Sequence, residues 1–140
     1  MLPAQVFSIV GLIAMLMWGL MILLPKWNVT QFLIRYKVAP IIFAVIYAVY
    51  IVLSIQAGGN LDFGSLGSVM SLFTQEEAVL AGWVHYLAFD LLVGMWMLNQ
   101  NKTIGIHQLL MAPCLFATFM SGPVGFLLFI IIKTIKKQQS

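Results

Sequence analysis

Cysteine is nearly absent from this chain. It holds one, Cys114, which excludes an internal disulfide and any metal or cluster site built on several thiolates. Charge is almost as scarce. Only 8% of the residues are Asp, Glu, Lys or Arg, against about 25% in soluble domains, while 62% are hydrophobic. A soluble fold of 140 residues has no interior large enough to hide that much apolar surface, so the surrounding medium is lipid. Acids are scarcer than bases, four against seven, and the basic excess lies in short connections and near the C-terminal end. That is how membrane proteins anchor themselves; it is not the basic groove that nucleic acid needs. An internal repeat, a low-complexity tract and a domain-separating linker are also lacking. The first residues carry no Lys or Arg and the first apolar run outlasts a signal-peptide core, so no cleaved signal is expected.

What is present reads as one all-α membrane domain over 1–140: four transmembrane helices with a short interfacial helix between the second and third. The first span is expected over about 6–24 and stops at Pro25-Lys26-Trp27, where proline breaks the helix and Lys and Trp suit a headgroup boundary. A polar connection with Lys26, Arg35 and Lys37 follows. The second span, about 40–55, starts at Pro40 and ends at Gln56-Ala57-Gly58-Gly59-Asn60. Residues 61–73 are apolar but too short to cross. Leu66, Val69, Met70 and Phe73 share a helical face, which predicts a helix lying at the interface, with a re-entrant segment as the alternative. Thr74-Gln75-Glu76-Glu77 has the spacing of a capping box at the head of the third span, about 76–98. The fourth span is expected over about 107–132, kinked at Gly122-Pro123-Val124-Gly125, with Thr118 and Ser121 placed to satisfy freed carbonyls. Four crossings put both ends of the chain on one side, with three basic residues there and four opposite, a difference too small to set orientation.

Asp90 is the outstanding position, close to the middle of the third span. An acid there costs on the order of 3 kcal/mol to insert, so it faces the bundle interior and finds a partner or a task. A functional acid–base group and a purely structural interhelical hydrogen bond both satisfy that demand. His85 lies in the same span, but five steps of ~100° set it on a different face, so the two form no direct pair on one helix face. It serves equally well as a proton carrier or as a satisfied interhelical donor. Trp83, Tyr86 and Gly94 share the face of Asp90. An acid, a phenol, an indole and a gap would suit a long conjugated ligand; the plainer account is a boundary anchor at Trp83 and a close-packing contact at Gly94. Tyr47 and Tyr50 on the second span could offer hydroxyls to Asp90. Two histidines and no carboxylate at metal-ligand spacing make a metal site unexpected, and Cys114 reads as a small buried hydrophobe.

The run Gly82-Trp83-Val84-His85-Tyr86-Leu87-Ala88-Phe89-Asp90-Leu91-Leu92-Val93-Gly94, followed by Gly122-Pro123-Val124-Gly125-Phe126-Leu127-Leu128, resembles the neoxanthin-synthase-like, or abscisic-acid-deficient-four-like, family of small membrane proteins. The W-x-H-x-L-A-x-D-L core carries the resemblance, because it combines two costly intramembrane residues; the first two spans match only as hydrophobic segments. The chain departs from the family pattern at Met95 and in the apolar Trp96-Met97-Leu98. The resemblance implies a carotenoid-related role: binding a xanthophyll-like polyene, or isomerising it from epoxide to allene, with Asp90 and His85 as acid–base pair and no cofactor required. The methionine-rich composition suggests a bacterial inner membrane. A second reading is a non-enzymatic subunit of a larger membrane complex, or a homo-oligomer packed through Gly11, Gly19, Gly82 and Gly94.

Overall fold

A computed structural model describes residues 2–58 and 61–139, with the side chains of 138 and 139 excepted. Gly59 and Asn60, which the sequence places at the end of the second span, lie outside the described residues. The described residues form helices: α1 (Pro3–Leu23), α2 (Asn28–Arg35), α3 (Val38–Gln56), α4 (Leu66–Leu72), α5 (Glu76–Ile104), α6 (Gln108–Met120) and α7 (Gly122–Gln139). Three of them, α1, α3 and α5, are long and apolar enough to cross a membrane.

α5 is the central element. Of its most apolar stretch 56% is buried, against 33% for α1 and 28% for α3, so the other helices lean on it while their outer faces remain open to lipid. α1 buries one stripe, Val6, Val10, Ala14, Met17, Trp18 and Met21, at the spacing of a single helix face. It runs parallel to α5: Phe7 meets Trp83 near one end and Trp18 reaches Gly94 further along. α3 runs antiparallel to α5, pairing Tyr47 with His85 and Ser54 with Gln75.

The expected fourth span is where sequence and structure part. Residues 108–139 do not form one crossing helix; they form two helices that double back. Gln108, at the start of α6, donates from Nε2 to the Ile22 and Leu23 carbonyls at the far end of α1, both at 3.3 Å. Thr118 then meets Met97, and the Met120 carbonyl accepts from Tyr86 Oη, so α6 descends alongside α5 to its middle. α7 climbs again: Gly122 lies against Asp90, Phe126 and Phe129 against Trp96, and Lys133 Nζ donates to Gln100 Oε1 at 3.1 Å. Thirteen residues of α6 rise about 20 Å, short of the ~30 Å apolar layer. The pair is a helical hairpin whose tip lies at the middle of α5.

Local chemistry explains the reversal. Ser121 adopts an extended conformation (φ −156°, ψ 96°) that ends α6, and Pro123, lacking an N–H, sits in the first turn of α7 where none is needed. Gly125 lies so close to the Thr118 backbone that any Cβ would collide with it. Glycine is required there for the two arms to meet.

Smaller differences follow the same logic. The 26–37 connection contains α2, whose Thr30 and Ile34 face inward while Phe32 and Tyr36 stay exposed. α4 forms as expected, its Ser65 side chain accepting from the Ser68 N–H at 3.1 Å. Ahead of it the Asp62 carboxylate accepts from the Gly64 N–H at 2.8 Å, a bond that together with Ser68 holds it below the usual carboxylate range. The predicted capping box does not form. Gln75, rather than Thr74, is the N-cap residue of α5, and the Thr74 hydroxyl donates back to the Ser71 carbonyl.

Candidate functional site

The hairpin tip and the middle of α5 meet at one residue. Asp90 is the central residue of α5, 6% exposed, with Gly122 packed directly on its Oδ1. A side chain at position 122 would displace the carboxyl. Oδ2 is buried with no hydrogen-bond partner among the described residues. An acid oxygen sealed from water and left unpaired is costly, and native structures keep few such groups. The N-terminal end of α7 begins beside it, and a helix start presents free N–H groups and the positive end of its dipole.

Tyr86, one turn before Asp90, donates from its hydroxyl to the Met120 carbonyl at 2.9 Å. Its ring stacks on Trp83, with centroids 5.6 Å apart. The two aromatics line an apolar groove of about 540 Å³ between α5 and α6, completed by Phe73, Gly82, Phe119 and Met120. Trp83 is 40% exposed, so the groove opens towards lipid.

His85 stands on another face, as the helical spacing predicts. It is in ring contact with Tyr47 at 5.4 Å and Phe89 at 4.8 Å, and it lines a second cavity, of about 310 Å³, with Tyr47, Ile51, Phe63 and Phe73. The two cavities share Phe73 and Gly82. The Phe73 ring rests on Gly82 so closely that a Cβ there would be 2.9 Å from it. One aromatic ring therefore divides the Tyr86 groove from the His85 cavity.

The remaining sequence candidates fall apart from Asp90. Tyr47 belongs with His85, and Tyr50 is buried in the core; neither hydroxyl bonds Asp90. The gap beside Gly94 is filled: its Cβ would lie 2.7 Å from the Trp18 ring and 2.9 Å from Met21 Cε. Gly94 thus seats Trp18, whose indole Nε1 is buried without a hydrogen-bond partner among the described residues. Cys114 is buried, and the Thr118 hydroxyl donates to its carbonyl at 2.7 Å. Among the described residues no three of His, Cys, Asp and Glu converge as metal ligands would. Phe119 and Met120 escaped the sequence reading because nothing in their own spacing sets them beside Tyr86; the reversal at Ser121 does. Trp18 escaped it because its seat at Gly94 is on another helix. Phe73 did carry a signal, the shared apolar face of α4.

No curated protein and no solved structure matches the chain. The model of one family, described as ABA DEFICIENT 4-like, matches residues 5–129, which takes in both cavities, Asp90 and the whole hairpin turn. That match extends through the first two spans, where motif resemblance had been thinnest, and does not bear on a bacterial host. The chain belongs to the ABA DEFICIENT 4-like family.

Proposed function

We propose that the chain binds a carotenoid-like polyene in the groove between α5 and α6 and isomerises it, with Asp90 as the proton-transferring group. The family points to a carotenoid- or xanthophyll-related membrane protein, and the observation that carries the finer reading is the Asp90 carboxyl: buried, one oxygen unpaired among the described residues, and one helical turn from Tyr86, which lines the apolar aromatic groove. In an epoxide-to-allene isomerisation the acid gives a proton to the epoxide oxygen as its C–O bond breaks, and a base takes a proton from the neighbouring polyene carbon. No atom is gained or lost. A site without water keeps the opening epoxide from being captured by solvent. Tyr86, bound to Met120 one turn from Asp90, would orient the end of the substrate, while Trp83 and Phe119 would flank its conjugated chain.

His85 stands in the adjoining cavity with Tyr47, across the Phe73 ring. The proton lost lies close to the epoxide that Asp90 would open, so His85 is not placed to take it. It would meet only another part of a ligand long enough to pass Phe73. A polyene is such a ligand. The host we infer is bacterial, with the chain in its cytoplasmic membrane.

A second reading is favoured by one observation. Gly122 seats on Asp90 Oδ1, so the carboxyl could simply clasp the hairpin to α5 within a larger membrane complex. Asp90→Asn separates the two readings, since the amide keeps size and hydrogen bonding while losing the proton. Expressed in a carotenoid-producing host and purified in mild detergent, the enzyme reading expects the variant to retain pigment and thermal stability while product formation falls at least 100-fold. A loss of stability or assembly, with pigment and product absent from the parent protein as well, would sink it.

A further inference from the structure

The reversal at Ser121 redistributes charge. With three crossings and a hairpin that returns, Lys26, Arg35, Lys37, Lys102, Lys133, Lys136 and Lys137 all emerge at one end of the molecule. Asp62, Glu76 and Glu77 lie at the other, and Asp90 is midway. All seven cations therefore share an end that has no Asp or Glu side chain.

A cavity of about 670 Å³ opens at that end, between α2 and the last turns of α5. Arg35, Lys37 and Lys102 line its rim, and Leu92, Met95 and Trp96 its apolar wall. None of the three cations is paired with an Asp or Glu among the described residues, because that end holds neither. Lys37 is further marked by its backbone, the only described non-glycine residue with positive φ (50°). A left-handed lysine is an uncommon conformation, held here where the chain turns from α2 into α3 at the rim. Three cations without an Asp or Glu partner among the described residues, above an apolar wall, make a site that is polar at the top and greasy beneath.

We propose that this cavity binds the phosphate headgroup of an anionic phospholipid. Arg35, Lys37 and Lys102 hold the phosphate, and the first carbons of the acyl chains lie on Leu92, Met95 and Trp96. Guanidinium and ammonium groups bind phosphate oxygens by charge-assisted hydrogen bonds, and basic clusters at a membrane surface recruit anionic lipid. The apolar wall is what distinguishes a lipid from a free anion. This site is separate from the Asp90 groove and does not depend on the polyene reading.

The test is native mass spectrometry of the full-length protein in neutral detergent, titrated with phosphatidylglycerol, with phosphatidylcholine of the same chains, and with inorganic phosphate. The expected result is retention of phosphatidylglycerol over phosphatidylcholine, weakened roughly fivefold for each cation removed in Arg35→Gln, Lys37→Gln and Lys102→Gln. Lys26→Gln and Lys136→Gln leave it unchanged. Should the neutralised variants fail to fold, Lys102→Glu, on the exposed last turn of α5, is expected to abolish the preference alone. Equal binding of the two lipids would overturn the proposal, as would losses of the same size from Lys26→Gln or Lys136→Gln. Inorganic phosphate competing as well as the lipid would make the cavity a bare anion site and overturn it too.

Discussion

The long helices α1, α3 and α5 and the pair α6–α7 are written in much the same apolar alphabet, yet the first three run through and the pair turns back. α1 contains two isolated glycines, Gly11 and Gly19, and a Cβ at either would meet no atom within 4 Å. Around the reversal, Ser121, Gly122, Pro123 and Gly125 fall within five residues, and Gly122 and Gly125 are pressed against Asp90 and Thr118. The comparison separates two properties that hydropathy merges. Apolarity says which solvent a segment accepts, while traverse depends on whether its backbone ladder continues. A break would leave carbonyls and N–H groups unpaired in lipid; here Gly122 and Gly125 are buried, Met120 and Val124 stay exposed, and Tyr86 supplies a donor to the Met120 carbonyl.

The largest test of that comparison is all-or-none. In a Cys114→Ser background, Lys136→Cys is expected to react with a membrane-impermeant thiol reagent from the same side as Lys26→Cys, and Asp62→Cys from the opposite side. With seven basic residues gathered at one end, that end is expected to face the cytoplasm. Labelling of Lys136→Cys together with Asp62→Cys would mean that 108–139 crosses after all.

How far the sequence could be read divides along the same line. The three long helices were legible because each is an apolar run with proline or polar residues at its margins, and Asp90 because an acid in such a run must face inward, whether to carry chemistry or to hold a neighbouring helix. The reversal was not. Gly122-Pro123-Val124-Gly125 signals a disrupted helix, and the same four residues serve a kink or a full turn; contacts between distant segments, such as Gly125 against the Thr118 backbone and Lys133 with Gln100, distinguish them. Miscounting that one crossing also hid the charge asymmetry, since three lysines were assigned to the wrong end. α2 was missed for another reason: Lys26, Arg35 and Lys37 read as a polar connection, while Thr30 and Ile34 face the bundle one turn apart. At the site, the angular separation of His85 from Asp90 was legible from helix geometry, but the Tyr86–Met120 bond and the Phe73 partition depend on contacts between distant segments.

A second test weighs the glycines of the two regions. Gly19→Ala puts a methyl into open space within a helix, so it is expected to be neutral or to stabilise by up to ~1 kcal/mol. Gly125→Ala sets a methyl against the Thr118 backbone, which cannot swing aside as a side chain would. The hairpin arms must separate, and the expected loss exceeds the ~1–3 kcal/mol usual for overpacked cores. Thermal unfolding of both variants in one detergent checks the ordering. Equal and small effects would show that the arms are not in contact.

The smallest effect probes what closes the hairpin. Because Ser121 is extended, the Met120 carbonyl loses the continuing helix that would have supplied its N–H, and the Tyr86 hydroxyl takes that role at 2.9 Å. Tyr86→Phe keeps the ring and its stacking on Trp83 but leaves that carbonyl short of a donor. Interhelical hydrogen bonds in membranes average about 0.6 kcal/mol and reach ~1.7, so a loss of roughly 0.5–1.5 kcal/mol is expected in reversible unfolding. Thr118→Val is the matched comparison. The Thr118 hydroxyl donates to the Cys114 carbonyl within α6, a carbonyl whose helical partner is already the Thr118 N–H, and its other contact is the weak acceptor Met97 Sδ at 3.4 Å, so its removal leaves no strong acceptor newly unpaired. If Tyr86 pins the reversal, Tyr86→Phe costs more than Thr118→Val and raises hydrogen exchange in the first turns of α7. If the two cost the same and exchange is unmoved, the hairpin is held by its packing on Asp90 and Trp96, and the phenol is free to serve a ligand in the groove.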